Sequence, residues 1–156
     1  MIPIRPVSGE QELGGTSTGS ILPPLEQRGV RFEIGIAVPS LNAVYGRHWG
    51  AKHKIRKEWG WRVRAALLEI QCDSERNVGL LRLRGHVTGG GRVMVGVETW
   101  RARRLDDENL RAGFKPAMDA MRSEGLMVDD HPKWIDTAFR QHAGRPHRTV
   151  IEIWPV

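Results

Sequence analysis

Four side chains in the second half of the chain have the types and spacing for phosphate chemistry: Asp106, Glu108, Lys115 and Asp130. Asp106 and Glu108 are two apart, and on an extended segment their side chains point the same way. Carboxylates held side by side repel, which raises at least one pKa unless a cation intervenes. A hard divalent ion resolves the repulsion, because Mg²⁺ takes oxygen ligands and keeps several waters. Asp130 is the candidate third metal ligand beside Asp106 and Glu108. An ion held this way polarises a phosphoryl oxygen and activates its bound water. Lys115 then neutralises charge that grows on the phosphate. Each group also has a plainer reading. Asp106 or Asp107 suits a helix cap, Asp129-Asp130-His131-Pro132 suits a polar turn, and Lys115 suits a solvated pair with Asp119 at i, i+4.

Around these residues three runs follow in order: Leu105-Asp106-Asp107-Glu108-Asn109-Leu110, Lys115-Pro116-Ala117-Met118-Asp119-Ala120-Met121, and Gly125-Leu126-Met127-Val128-Asp129-Asp130. Together they resemble the RusA-like Holliday-junction resolvases, endodeoxyribonucleases of bacteria and their phages. Pro39-Ser40-Leu41-Asn42 and the basic segment after it look like that family's N-terminal part. The resemblance places the family's essential aspartates on Asp106, Glu108 and Asp130 and its essential lysine on Lys115. It implies a divalent metal, Mg²⁺ with Mn²⁺ as a substitute. It further implies a homodimer that cuts opposed strands of a four-way DNA junction in the bacterial cytoplasm. The chain departs from the short form of the motif in four places. It is three residues longer between Asn109 and Lys115, and Leu105 stands where the short form is basic. Asp107 replaces an apolar residue, and Glu108 replaces an aspartate. Three other readings stay open: a DNA-binding protein of the same fold without catalysis, a nuclease for other branched or flap DNA, and a structural protein whose acids are only caps.

The charge balance agrees with a polyanionic partner. Lys plus Arg is 24 against 18 for Asp plus Glu, a formal net charge of +6. The densest cation run supplies Arg47, Lys52, Lys54, Arg56 and Lys57, and Arg103 and Arg104 precede the acidic cluster. Contacts of this kind to phosphates give affinity without sequence information. Of the six tryptophans, Trp49 and Trp61 are the candidates for stacking on a base, whereas Trp59 lies on an apolar helix stripe. One cysteine, no metal-ligand spacing of Cys or His, and no run near the ~20 apolar residues of a membrane span point to a reduced intracellular protein with no membrane partner.

The elements that must position these groups read as one α+β domain over residues 30–156, behind a Gly/Ser/Pro-rich tail at 1–29. Val30–Val38 reads as a strand and 39–54 as a loop. Ile55–Gln71 carries an apolar stripe at helical offsets. Leu81, Leu83 and Val87 alternate with Arg82, Arg84 and His86, and Val93, Val95 and Val97 alternate with Met94 and Glu98, so the Gly89-Gly90-Gly91 turn between them predicts a hairpin. Residues 107–124 read as a second helix in which Pro116 predicts a kink or restart near Lys115, and 133–141 and 148–154 as two strands. The expected order is β-α-β-β-α-β-β, one mixed sheet with two main helices.

Overall fold

The computed structural model describes residues 29–40, 42 and 49–156. The tail expected at 1–29 lies outside them except for Gly29, and so does Arg47. Gly29 already belongs to the folded body: a Cβ there would meet the Ile153 carbonyl oxygen at 2.0 Å.

The sheet is built from four strands: β1 (Val30–Ile34), β2 (Val93–Arg101), β3 (Ile135–Ala143) and β4 (Arg148–Pro155). Their spatial order is β1-β4-β2-β3. β4 runs antiparallel to both β1 and β2, while β2 and β3 are parallel. Alternation sets the register. Val30, Phe32 and Ile34 are buried while Arg31 and Glu33 are exposed, and Ile151 stands opposite both Phe32 and Val97. That face of the sheet joins the buried residues of the helices in one core cluster.

Among the described residues three helices pack with the sheet: α1 (Trp49–Cys72), α2 (Ser74–Thr88) and α3 (Asp107–Ser123). The α+β class and the single mixed sheet are as expected. The hairpin is not, because Ser74–Thr88 is helical and the order becomes β-α-α-β-α-β-β. The apparent alternation of Leu81, Leu83 and Val87 is one sampling of a helical stripe. The buried positions are Leu80, Leu83 and Val87, at offsets 0, 3 and 7, whereas Leu81 is 59% exposed. Asp73 starts the helix by accepting hydrogen bonds from the Glu75 and Arg76 amides. The glycine turn ends it, with Gly90 in the left-handed region at φ 77°. Two boundaries also move. β1 stops at Ile34, and α1 begins at Trp49, so 49–54 is helix where a loop was expected.

α3 is the crossover between the parallel strands β2 and β3. It buries Leu110, Phe114, Ala117 and Met121, each at 2% exposure or less. Pro116 lies inside it, yet the helix continues without the restart expected there. Magnitudes explain this. A helix-interior proline costs about 3 kcal/mol, and burying each of Leu110, Phe114 and Met121 returns roughly 1.5–3 kcal/mol. α1 packs on α3 through Trp59, whose ring meets Phe114 edge-on at 6.2 Å. Gly113 permits a second close approach: a Cβ there would lie 1.8 Å from the Pro39 carbonyl oxygen. Gly113→Ala should therefore destabilise the protein by about 1–3 kcal/mol. Gly85→Ala, in α2 where a Cβ meets nothing within 4 Å, should stabilise it by roughly 0.5–1 kcal/mol. Urea unfolding of the two variants checks both signs.

Candidate functional site

The crossover decides which of the candidate residues meet. Asp106 is the N-cap of α3, at the end where β2 leaves the sheet, and its carboxylate accepts the Asn109 amide at 2.9 Å and the Asn109 side-chain amide. These hydrogen bonds hold its pKa below the usual carboxylate value. Glu108 lies exposed in the first turn of the helix. Lys115 comes nine residues after Asp106, about 13 Å further along the axis at ~1.5 Å per residue. The three extra residues before Lys115 account for nearly one turn of that separation. Asp130 lies beyond the helix, in the segment that leads back into β3.

The structure brings Lys115 and Asp130 together. The Lys115 ammonium donates to Asp130 Oδ2 and pairs with Asp119 Oδ1 at 3.0 Å, one turn on along α3. Asp119 is also approached by Arg56 of α1 at 3.5 Å. Beside this chain Asp129 accepts from Arg122 at 3.1 Å and from the Asp130 amide at 2.8 Å. Partial burial works to lower the Lys115 pKa, but the hydrogen bonds that its ammonium donates to Asp130 and Asp119 outweigh it and raise the value. The Lys115 hydrogen bond likewise holds the Asp130 carboxyl below its ordinary range. The pair is therefore charged throughout the neutral region.

Asp106 and Glu108 are not drawn to Asp130. Among the described residues no group of three His, Cys, Asp or Glu side chains is arranged to hold a metal ion. The two carboxylates that share a cation are Asp119 and Asp130. Their oxygens suit a hydrated Mg²⁺, which is usually bound through one or two carboxylates plus water and substrate phosphates. Asp119 was legible only as the i, i+4 partner of Lys115, and nothing in sequence spacing joined Arg56 to it across 63 residues.

A groove of about 710 Å³ opens beside these groups, between α1 and α3, with Arg56, Lys57, Trp61 and Arg64 on one wall and Lys115 and Arg122 on the other. Trp61 is 71% exposed there and Trp49 is 80% exposed, while Trp59 is core as its stripe implied. The cation run is less free than its sequence suggests. Arg56 pairs with Asp119, Arg62 with Glu58 at 3.0 Å, and Arg64 with Glu124 at 2.9 Å. Lys54 and Lys57 are exposed, and Lys52 is half-buried. Arg103 is exposed, and Arg104 donates to the Gln141 carbonyl at 3.0 Å. No helix among the described residues is long and apolar enough to cross a membrane.

No family model and no curated protein matches the chain.

The depressed Asp130 pKa has a signed consequence. Its contribution to stability is full above the ordinary carboxylate value, about 4, and is lost as pH falls through the lower folded value. Asp130→Asn should remove that part of the acid limb, so the melting temperatures of wild type and variant converge in strong acid and separate near neutrality. Thermal melts by circular dichroism across the acid range test it.

Proposed function

We propose that the chain is a Mg²⁺-dependent, structure-specific endodeoxyribonuclease acting on four-way DNA junctions. The observation that carries the reading is the Asp119–Lys115–Asp130 chain at the side of a groove whose other wall is the basic helix α1. The ordered acidic, lysine and Asp-Asp motifs, similar to those of the RusA-like resolvases, supply the substrate class.

Lys57, Trp61 and Arg64 on α1 face incoming DNA, and Lys54, Arg103 and Arg104 extend the basic surface. The Lys115 ammonium stays protonated because two carboxylates flank it, so it is ready to hold a non-bridging phosphate oxygen. A phosphate that takes up this ammonium releases Asp130 and Asp119 from it. These two carboxylates would then hold the ion, which supplies Lewis-acid polarisation of the phosphoryl oxygen and a bound water of lowered pKa. Asp106 and Glu108, which the resemblance also assigns to the metal, stand at the start of α3. Paired cuts on opposed strands require two such sites, which a two-fold homodimer provides.

A synthetic four-way junction and a matched linear duplex, each incubated with and without Mg²⁺, test the reading. Paired nicks on the junction alone, dependent on the ion, are expected. Asp130→Asn and Lys115→Met should each lower cleavage by at least roughly a hundredfold, the scale of losing one positioned charge in a transition state, while junction binding by gel shift persists. Binding with no cleavage at any Mg²⁺ concentration would make the protein a non-catalytic junction binder. Asp106→Asn, which preserves the cap, and Glu108→Gln assign the remaining ligands. Loss of both cleavage and Mg²⁺ affinity would bring these residues to the ion, and retention leaves it to Asp119 and Asp130.

A further inference from the structure

A second cleft, of about 550 Å³, lies at the end of the sheet where β1 and β2 finish and β4 begins, between the Gly35–Pro39 and Arg101–Arg103 segments. Arg101, Arg103 and His147 line it, and among the described residues no carboxylate does. Arg101 is only partly exposed, and its Nη1 donates to the Val38 carbonyl at 2.9 Å. Its Nε–H is buried with no hydrogen-bond partner. A buried donor left unpaired is costly, and native structures seldom keep one without a reason. Burial also lowers the Arg101 pKa, as happens to a cation that has given up solvent without gaining an anion. Neither Arg103 nor His147 has a hydrogen-bond or ion-pair partner among the described residues. Arg101, Arg103 and His147 thus share one cleft with no carboxylate among its described lining residues, and the Arg101 guanidinium holds an unpaired N–H just behind the cleft wall.

We infer that this cleft binds a phosphate group. A guanidinium fork matches phosphate oxygens bidentately, and charge-assisted bonds of this type are the strong ones. The Val38–Pro39 wall is fixed on one side by the Arg101 hydrogen bond and on the other by the close packing of Pro39 on Gly113. The cleft is therefore preorganised by the fold. Its volume falls in the range of small-ligand sites, so it admits either a backbone phosphate of DNA or the phosphate of a free nucleotide. Arg103 precedes Asp106 by three residues, which sets the cleft beside the N-terminal turn of α3 and apart from the Lys115 groove.

The test is a titration of the ¹⁵N-labelled full chain, followed by two-dimensional NMR, with inorganic phosphate, a deoxynucleoside monophosphate and a short phosphodiester oligonucleotide in separate arms. Saturable shifts of the Arg101 Nε–H and of the Ile36 and Ala102 amides are expected. Arg103→Gln and His147→Gln, which leave the Arg101–Val38 bond in place, should each weaken binding at least roughly tenfold, the worth of one hydrogen bond to a charged group. Arg103→Gln should also reduce the slope of log affinity against log salt for the oligonucleotide by about 1. Saturation by the oligonucleotide alone assigns a backbone phosphate, and saturation by the small phosphates alone assigns a free nucleotide. Unmoved cleft resonances in every arm, or shifts indifferent to both variants, overturn the inference. Junction cleavage is read at Lys115 and Asp130, so failure here and failure of the nuclease reading are seen separately.

Discussion

The Lys115 ammonium lies between Asp119, one turn along its own helix, and Asp130, in the segment that returns to the sheet. Without it two carboxylates would face each other across a partly buried gap, and the Asp129-Asp130 turn would lose its tie to α3. Arg56 extends the chain of alternating charge to α1. One cation thus ties the crossover helix to the turn after it, and through Asp119 and Arg56 the chain of charge reaches the basic helix. In the proposed reaction a phosphate would compete with this structural tie for the one ammonium, and its binding would free Asp119 and Asp130 for a metal ion.

The crossover connection imposes a second constraint. Because β2 and β3 are parallel, the chain must travel back along the sheet through α3 before β3 begins. Asp106 marks one end of that journey and Asp130 follows its completion. The acidic groups therefore divide between the start of α3 and its middle, and the basic residues divide with them. Arg101, Arg103 and His147 gather at the first end, and Lys57, Arg64 and Arg122 around the groove at the second. The basic side chains therefore form two separated groups, one near the start of α3 and one beside its middle.

Neutralisation within the protein tempers the charge argument. Arg56, Arg62 and Arg64 are each matched by a carboxylate, so α1 presents less unneutralised charge than the sequence run displays. Exposed pairs of this kind contribute little to stability, and a polyanion can compete for them. The net positive charge then acts mainly on encounter rate and salt dependence.

Local pattern determined much of this protein. The stripe of α1, the stripe and cap of α3, and the strands at both ends of the chain follow from periodicity and from Asp106 at the N-cap. The Lys115–Asp119 pair was legible too, because i, i+4 spacing on a helix leaves one geometry. The helix over 74–88 was misread because Leu81, Leu83 and Val87 fit period two as readily as their neighbours Leu80, Leu83 and Val87 fit period 3.6, and only packing against the sheet selects the second. Juxtapositions that depend on the path between elements belong to tertiary structure alone: Asp130 on Lys115, Arg56 on Asp119, and Arg101 in one cleft with His147. Their partners are separated by 15, 63 and 46 residues, distances over which side-chain type carries no directional information until the chain has folded.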